Sequence, residues 1–232
     1  MKRSGISIAA LVGICYHHRW KSGWGNATRR DGVGGGERAN GEDRGPRRDA
    51  PGSPWRTVGA RDAYHNPWLI VTEYDVIRPD GRPGIYGVVD PGDNVTIVAL
   101  EDDERVWLVR EFLYPLQTAE WFLPTGAVER GEEPLAAAQR ELAEETGLRA
   151  TEWMELGAYP LSPGISSQIG RIFLARGLSQ GAAAPEGTEQ IMTRLMPLRE
   201  ALEACLRNEI RATLAVIGIW RAWATLRGTD AL

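Results

Sequence analysis

The chain has 232 residues, 43% hydrophobic and 25% charged, a composition that fits one sizeable globular domain and excludes a fibrous or wholly disordered protein. Its formal net charge of −4 is unevenly spread: residues 1–54 hold ten Lys or Arg against five Asp or Glu, whereas residues 55–232 hold seventeen against twenty-six. An acidic body argues against nucleic acid as the main partner, and two cysteines, Cys15 and Cys205, make neither a disulfide framework nor a zinc site.

Residues 1–54 contain eleven glycines and runs such as DGVGGGERANGEDRGPRRDAPGSP, too poor in apolar side chains to bury a core, so this segment is expected to be disordered. MKR followed by ISIAALVGIC has the outline of a signal peptide. No clear cleavage site follows, however, and the apolar run is too short to span a bilayer. The segment is read as a dispensable leader, ahead of an export signal or a partner-binding tail. His17, His18 and His65 show no metal-ligand spacing, and a reducing cytoplasm is the expected compartment.

From Trp55 onward the pattern is that of a folded domain, residues 55–232. PWLIVTEYDVI (67–77) reads as a strand, RPDGRPG (78–84) as a turn, and IYGVVD as the returning strand. NVTIVAL and RVWLVREF are expected to form a second pair around the acidic turn 101–104. A helix is predicted from Pro134, which suits a first turn, to Thr146, where Gly147 is placed to end it. Leu135, Ala138 and Leu142 are its expected inward stripe. Strands follow near 153–158, 169–175 and 190–196. Two helices close the chain, roughly 198–206 and 209–226, with Leu198, Leu202 and Leu206, and Leu214, Ile217 and Trp220, as packing stripes and Cys205 as a small core residue. This order implies a mixed sheet with helices on its faces.

The predicted helix at 134–146 carries an arrangement that stability alone does not favour. Glu141, Glu144 and Glu145 stand at i, i+3 and i+4, so they share a face. Glu141 and Glu145 are a like-charge pair, and all three sit toward the C-terminal end, where the helix dipole disfavours acids. A divalent cation would offset both penalties, and Mg²⁺ is held by a few carboxylates with water and phosphate oxygens completing its shell.

The stretch GAVERGEEPLAAAQRELAEETGL (126–148) resembles the Nudix box, G-x5-E-x7-R-E-U-x-E-E-x-G-U, with Gly126, Glu132, Arg140, Glu141, Leu142, Glu144, Glu145, Gly147 and Leu148 filling every specified position. The order NPW…DGRPGIYGVV…VWLVREF…LPTG…LSPG…IFLA extends the resemblance to the ADP-ribose pyrophosphatase branch across residues 64–196. The resemblance implies a Nudix α/β/α sandwich and hydrolysis of a nucleoside diphosphate linked to a second moiety. With ADP-ribose the products would be AMP and ribose 5-phosphate. It implies Mg²⁺, with Mn²⁺ as a substitute, held by Glu141, Glu145, Glu144 and the backbone carbonyl of Thr125. Arg140 would orient the glutamates, and Glu132 would tie the loop to the helix. Gly126 would let backbone approach the metal, while Pro163 in YPLSPGISSQ (159–168) points to ADP-ribose. Arg110 is a candidate diphosphate contact, Gln168 a loop contact and Tyr86, ahead of Trp68 and Trp121, the candidate purine stack. The relatives imply a homodimer that exchanges its N-terminal strands, here 68–90.

The chain departs from that branch at three positions. Phe122 stands where relatives carry Glu, Leu113 where they carry an arginine, and Gln168 where they carry a loop Glu; no Asp or Glu occurs from 157 to 185. The alternatives kept open are another nucleotide sugar such as GDP-mannose, an oxidised nucleotide, and a weakly catalytic ADP-ribose-binding sensor.

Overall fold

The computed structural model describes residues 49–181 and 191–228, which divide at the Asp90/Pro91 junction into two compact units. Of the segment 1–54 expected to be disordered, residues 1–48 lie outside the described residues. Residues 49–54 are exposed, and Asp49 accepts hydrogen bonds from the Thr57 N–H (2.8 Å) and hydroxyl (2.7 Å).

The N-terminal unit is an antiparallel meander of β1 (Arg56–His65), β2 (Ile70–Ile77) and β3 (Pro83–Asp90). The predicted turn between β2 and β3 is closed by the Arg78 N–H on the Arg82 carbonyl (2.9 Å), with Gly81 at φ 80°. Strand β1 was not expected, because RTVGARDAYH lacks a clean apolar alternation and leaves most of its residues exposed.

The second unit runs β4 (Asn94–Ala99), β5 (Arg105–Leu113), β6 (Thr118–Phe122), β7 (Thr125–Ala127), α1 (Pro134–Thr146), β8 (Leu148–Pro160), β9 (Ile169–Gln180), β10 (Met192–Pro197), α2 (Leu198–Leu206) and α3 (Thr213–Leu226). Its strands form two sheets, ordered β10-β5-β6 and β7-β4-β9-β8. The second is mixed: β4 runs parallel to β9 and antiparallel to β7. The expected pairing of β4 with β5 is corrected. The chain is paired only at the turn, by the bridge of Leu100, just past β4, with Val106 and by the Glu101 N–H on the Arg105 carbonyl (2.9 Å), and the two strands then enter different sheets. The reason lies in β4, whose run NVTIVA is buried on both faces and has strands on both edges, the signature of a central strand.

Alternation along β4 builds a layered core. Val95, Ile97 and Ala99 face one way, onto Ala137, Ala138 and Leu142 of α1. Val98 and Leu100 face the other, onto Leu214, Ala215, Ile219 and Ala222 of α3. The mixed sheet is therefore held between helices, as expected of the sandwich. The apolar stripes need two corrections. Leu135 is 39% exposed and Leu206 is 68% exposed, because the buried face of α1 is Ala137, Ala138, Glu141 and Leu142, and α2 turns Leu206 outward at its last residue. Cys205 is buried as expected, and burial pushes its thiol up to about 11.

Candidate active site

Helix α1 starts at Pro134 and stops where Gly147 takes the left-handed conformation (φ 71°), its N–H donating to the Ala143 carbonyl (2.9 Å). This length places Glu141 on the inner face of the helix, where its exposure is 0%. A buried carboxylate has to be compensated. The nearest positive charge is Arg140, whose Nη1 lies 2.7 Å from Glu141 Oε1 and 3.1 Å from Glu144 Oε2.

Arg140 organises the site through all five of its N–H donors. Nε and Nη2 form a two-pronged contact with the Glu132 carboxylate (3.1 and 2.9 Å), and Nη2 also donates to the Ala127 carbonyl (2.9 Å). The guanidinium thus ties the loop before α1, the end of β7 and two helix glutamates into one cluster, and its pKa is raised, chiefly by Glu132. Glu132 in turn accepts the Glu129 N–H (2.9 Å); these contacts, Arg140 first, hold its carboxyl below the ordinary carboxylate value. Glu141 and Glu145 point toward β7. Glu145 Oε2 accepts the Thr125 N–H (3.0 Å). Gly126 is the closest approach: a Cβ there would lie 2.0 Å from Glu141 Cδ, so only glycine leaves room for that carboxylate against the strand.

The donor set is one of carboxylates, although among the described residues no three of them converge as a formed metal cluster. Three carboxylates, Glu132, Glu141 and Glu144, surround one guanidinium, Glu145 meets the Thr125 N–H, and the Glu141 carboxylate fills a space that any other residue at 126 would occupy. Oxygen donors in such excess are the chemistry of a hard cation.

The other sequence candidates are placed separately. Arg110 lies on β5 with its guanidinium carbon 5.9 Å from the Trp121 ring centroid, and Trp121 packs on the core. Tyr86 lies in the N-terminal unit, edge-on to Trp55 at 5.4 Å. Trp68 is in the same unit and 41% exposed. Pro163 is exposed in a turn in which the Ser162 carbonyl accepts the N–H groups of Ile165 (2.9 Å) and Ser166 (2.8 Å). Gln168, at the end of that loop, is 2% exposed; its carbonyl accepts the Leu161 N–H (3.2 Å). Phe122 and Leu113 are both core residues. Sequence reasoning missed the Ala127 carbonyl, which no side-chain pattern can mark.

The NUDIX domain family matches residues 90–216, and the nucleoside diphosphate sugar hydrolase N-terminal domain matches residues 55–89. The chain belongs to the Nudix family and is a Nudix pyrophosphohydrolase. An ADP-ribose pyrophosphatase of Mycobacterium tuberculosis is 31% identical over 172 residues, covering 72% of this chain and 83% of the relative. One from Bacillus subtilis is 36% identical over 157 residues, covering 67% and 85%. A CMP-5'-(N-acetyl-N-hydroxy-3-aminopropyl)phosphonate hydrolase of Streptomyces rubellomurinus is 31% identical over 165 residues, covering 71% and 80%. Among solved structures, an ADP compounds hydrolase shares the fold with a TM-score of 0.69 at 21% identity, over 77% of this chain and 97% of that one.

Proposed function

We propose that this Nudix hydrolase is Mg²⁺-dependent and cleaves ADP-ribose to AMP and ribose 5-phosphate. The observation that carries the site is the Arg140-centred cluster of Glu132, Glu141 and Glu144, set against the Thr125–Gly126 backbone that also meets Glu145. Glu141, Glu145, Glu144 and the Thr125 carbonyl would hold the ion, with Mn²⁺ able to replace Mg²⁺. When bound, the ion neutralises the diphosphate and polarises a phosphoryl oxygen. Arg140 holds two of the carboxylates in place through hydrogen bonds, and Glu132 holds Arg140. Gly126 keeps the Glu141 carboxylate against β7. With Gln168 in the place of a loop acid, Glu144, whose side chain is 33% exposed, is the carboxylate assigned to take the proton of the attacking water. The turn at Pro163, Arg110 and Gln168 remain the proposed substrate contacts.

The choice of ADP-ribose rests on the two pyrophosphatase relatives; the phosphonate hydrolase, at similar identity, favours a second reading in which another nucleotide conjugate is cleaved by the same cluster. The exposed apolar residues Val58, Tyr64, Trp68 and Ile85 of the N-terminal unit support a homodimer in which a second chain covers them. No helix among the described residues is long and apolar enough to cross a membrane, and a cytoplasmic site of action is proposed on the two-cysteine composition alone. Product analysis with ADP-ribose, GDP-mannose, an oxidised nucleoside triphosphate and a CMP-phosphonate, each with and without Mg²⁺, tests the proposal. The expected result is Mg²⁺-dependent release of AMP and ribose 5-phosphate, fastest from ADP-ribose. Faster turnover of another substrate overturns the substrate choice, and tight binding of ADP-ribose without release overturns the catalytic one.

A further inference from the structure

Strand β7 is a weak element carrying a demanding task. It has three residues, lies at the edge of its sheet and pairs only with β4. Backbone bonds run from the Ile97 N–H to the Pro124 carbonyl (2.8 Å) and from the Val128 N–H to the Asp93 carbonyl (3.0 Å). Pro124 has no N–H to return the first of these, so the ladder is short of a bond beside Thr125. In this register Thr96 and Thr125 face each other as the pair without ladder bonds between them. The Thr125 N–H and carbonyl therefore point away from β4, off the sheet edge. The N–H meets Glu145 there, and the next residue, Gly126, is the one that Glu141 presses against.

Two side chains replace the missing ladder bond. The Thr125 hydroxyl donates to the Val95 carbonyl (2.7 Å), and the Thr96 hydroxyl, buried at 2% exposure, lies 3.0 Å from Thr125 Oγ1. Because Thr125 Oγ1 spends its proton on Val95, Thr96 is the donor in the second contact. Thr96 lies on the β4 face shared with Val98 and Leu100, so this chain of hydroxyls approaches the site from the opposite side of the sheet to α1.

We propose that Thr96 and the Thr125 hydroxyl form a clasp that positions the Thr125–Gly126 backbone for ion binding. Thr96 is a positioning residue: it touches neither ion nor substrate and acts through Thr125 on Glu145. This inference rests on the metal assignment made above. Outer contacts of this kind typically change metal affinity by about 10–100-fold when removed.

The test is Mg²⁺ titration of the full chain by calorimetry, in parallel with turnover. Thr96→Val keeps the shape and removes the donor, Thr125→Val removes both bonds, and Thr96→Ser restores the hydroxyl. The expected order of weakening is Thr125→Val above Thr96→Val, the latter about 10-fold, with Thr96→Ser close to wild type. For Thr96→Val the kcat at saturating Mg²⁺ should fall by less than the Mg²⁺ constant rises. A lowered melting temperature in both Val variants with wild-type Mg²⁺ affinity overturns the clasp and leaves a structural hydrogen bond. A wild-type protein that binds no Mg²⁺ by calorimetry overturns the metal assignment, and the clasp with it.

Discussion

Helices α1 and α3 pack on opposite faces of the same sheet, and they meet it in different ways. Helix α3 is apolar toward the sheet and comes so close at Gly218 that a Cβ would lie 2.9 Å from Leu123 Cδ1, 3.2 Å from Val98 Cγ2 and 3.3 Å from Ile172 Cγ2. Helix α1 buries Ala137, Ala138 and Leu142 but also the carboxylate of Glu141, and its own close approach, at Gly126, is backbone against carboxylate. One face of the sheet is packed for stability. The other holds like charges together through a single guanidinium, an arrangement with little stabilising value unless it binds something.

Charge removal on α1 should give the largest effect. Glu141→Gln or Glu145→Gln is expected to lower kcat by several orders of magnitude while the far-ultraviolet circular dichroism stays native, since Gln preserves shape and the Thr125 N–H keeps an oxygen acceptor. Near-wild-type turnover at saturating Mg²⁺ in either variant would remove the functional half of the comparison.

The two glycines sharpen it. Gly126→Ala should abolish activity and cost about 1–3 kcal/mol in denaturant unfolding, because the added methyl must displace the Glu141 carboxylate. Gly218→Ala should cost about 1 kcal/mol, the overpacking against Leu123 being partly offset by better helix propensity, with Mg²⁺ dependence unchanged. Equal losses of activity from the two substitutions would show that both faces serve the site alike.

The smallest effect is electrostatic. The folded pKa of Glu132 is depressed by Arg140, so its contribution is fully present above the unfolded value of 4.5 and is lost as pH falls through the lower folded value. Glu132→Gln should therefore flatten the decline of stability below about pH 4.5 and leave its alkaline limb alone. Thermal melts from pH 7 to pH 3 read this directly; an unchanged acid limb would mean that Glu132 does not carry the Arg140 interaction.

How far these features were legible in the sequence differs between local and non-local ones. The ends of α1 were readable from Pro134 and Gly147, and α2 was readable at both ends, because caps, breakers and apolar spacing act within a few residues. The glutamate face followed from helical spacing. The partners of β4 were not legible: its neighbours β7 and β9 come from distant chain, and the acidic turn at 101–104 suggested a hairpin that is paired only at the turn. Three-residue β7 has no pattern of its own, yet it supplies the wall that Glu141 and Glu145 meet. Leu135 was misplaced because the inner face of α1 accepts Glu141 in preference to it, a choice made by Arg140 and Gly126 rather than by hydrophobicity.

The central claim is that the α1 carboxylates are kept together for a cation rather than for the fold. The most direct measurement is the melting temperature of wild type and Glu145→Gln, each with and without saturating Mg²⁺. The account predicts that Mg²⁺ stabilises the wild type, that the variant without metal melts at the wild-type temperature or slightly higher because a like-charge pair is gone, and that Mg²⁺ no longer moves it. A Glu145→Gln protein that is less stable without metal and still gains the full Mg²⁺ shift would contradict it.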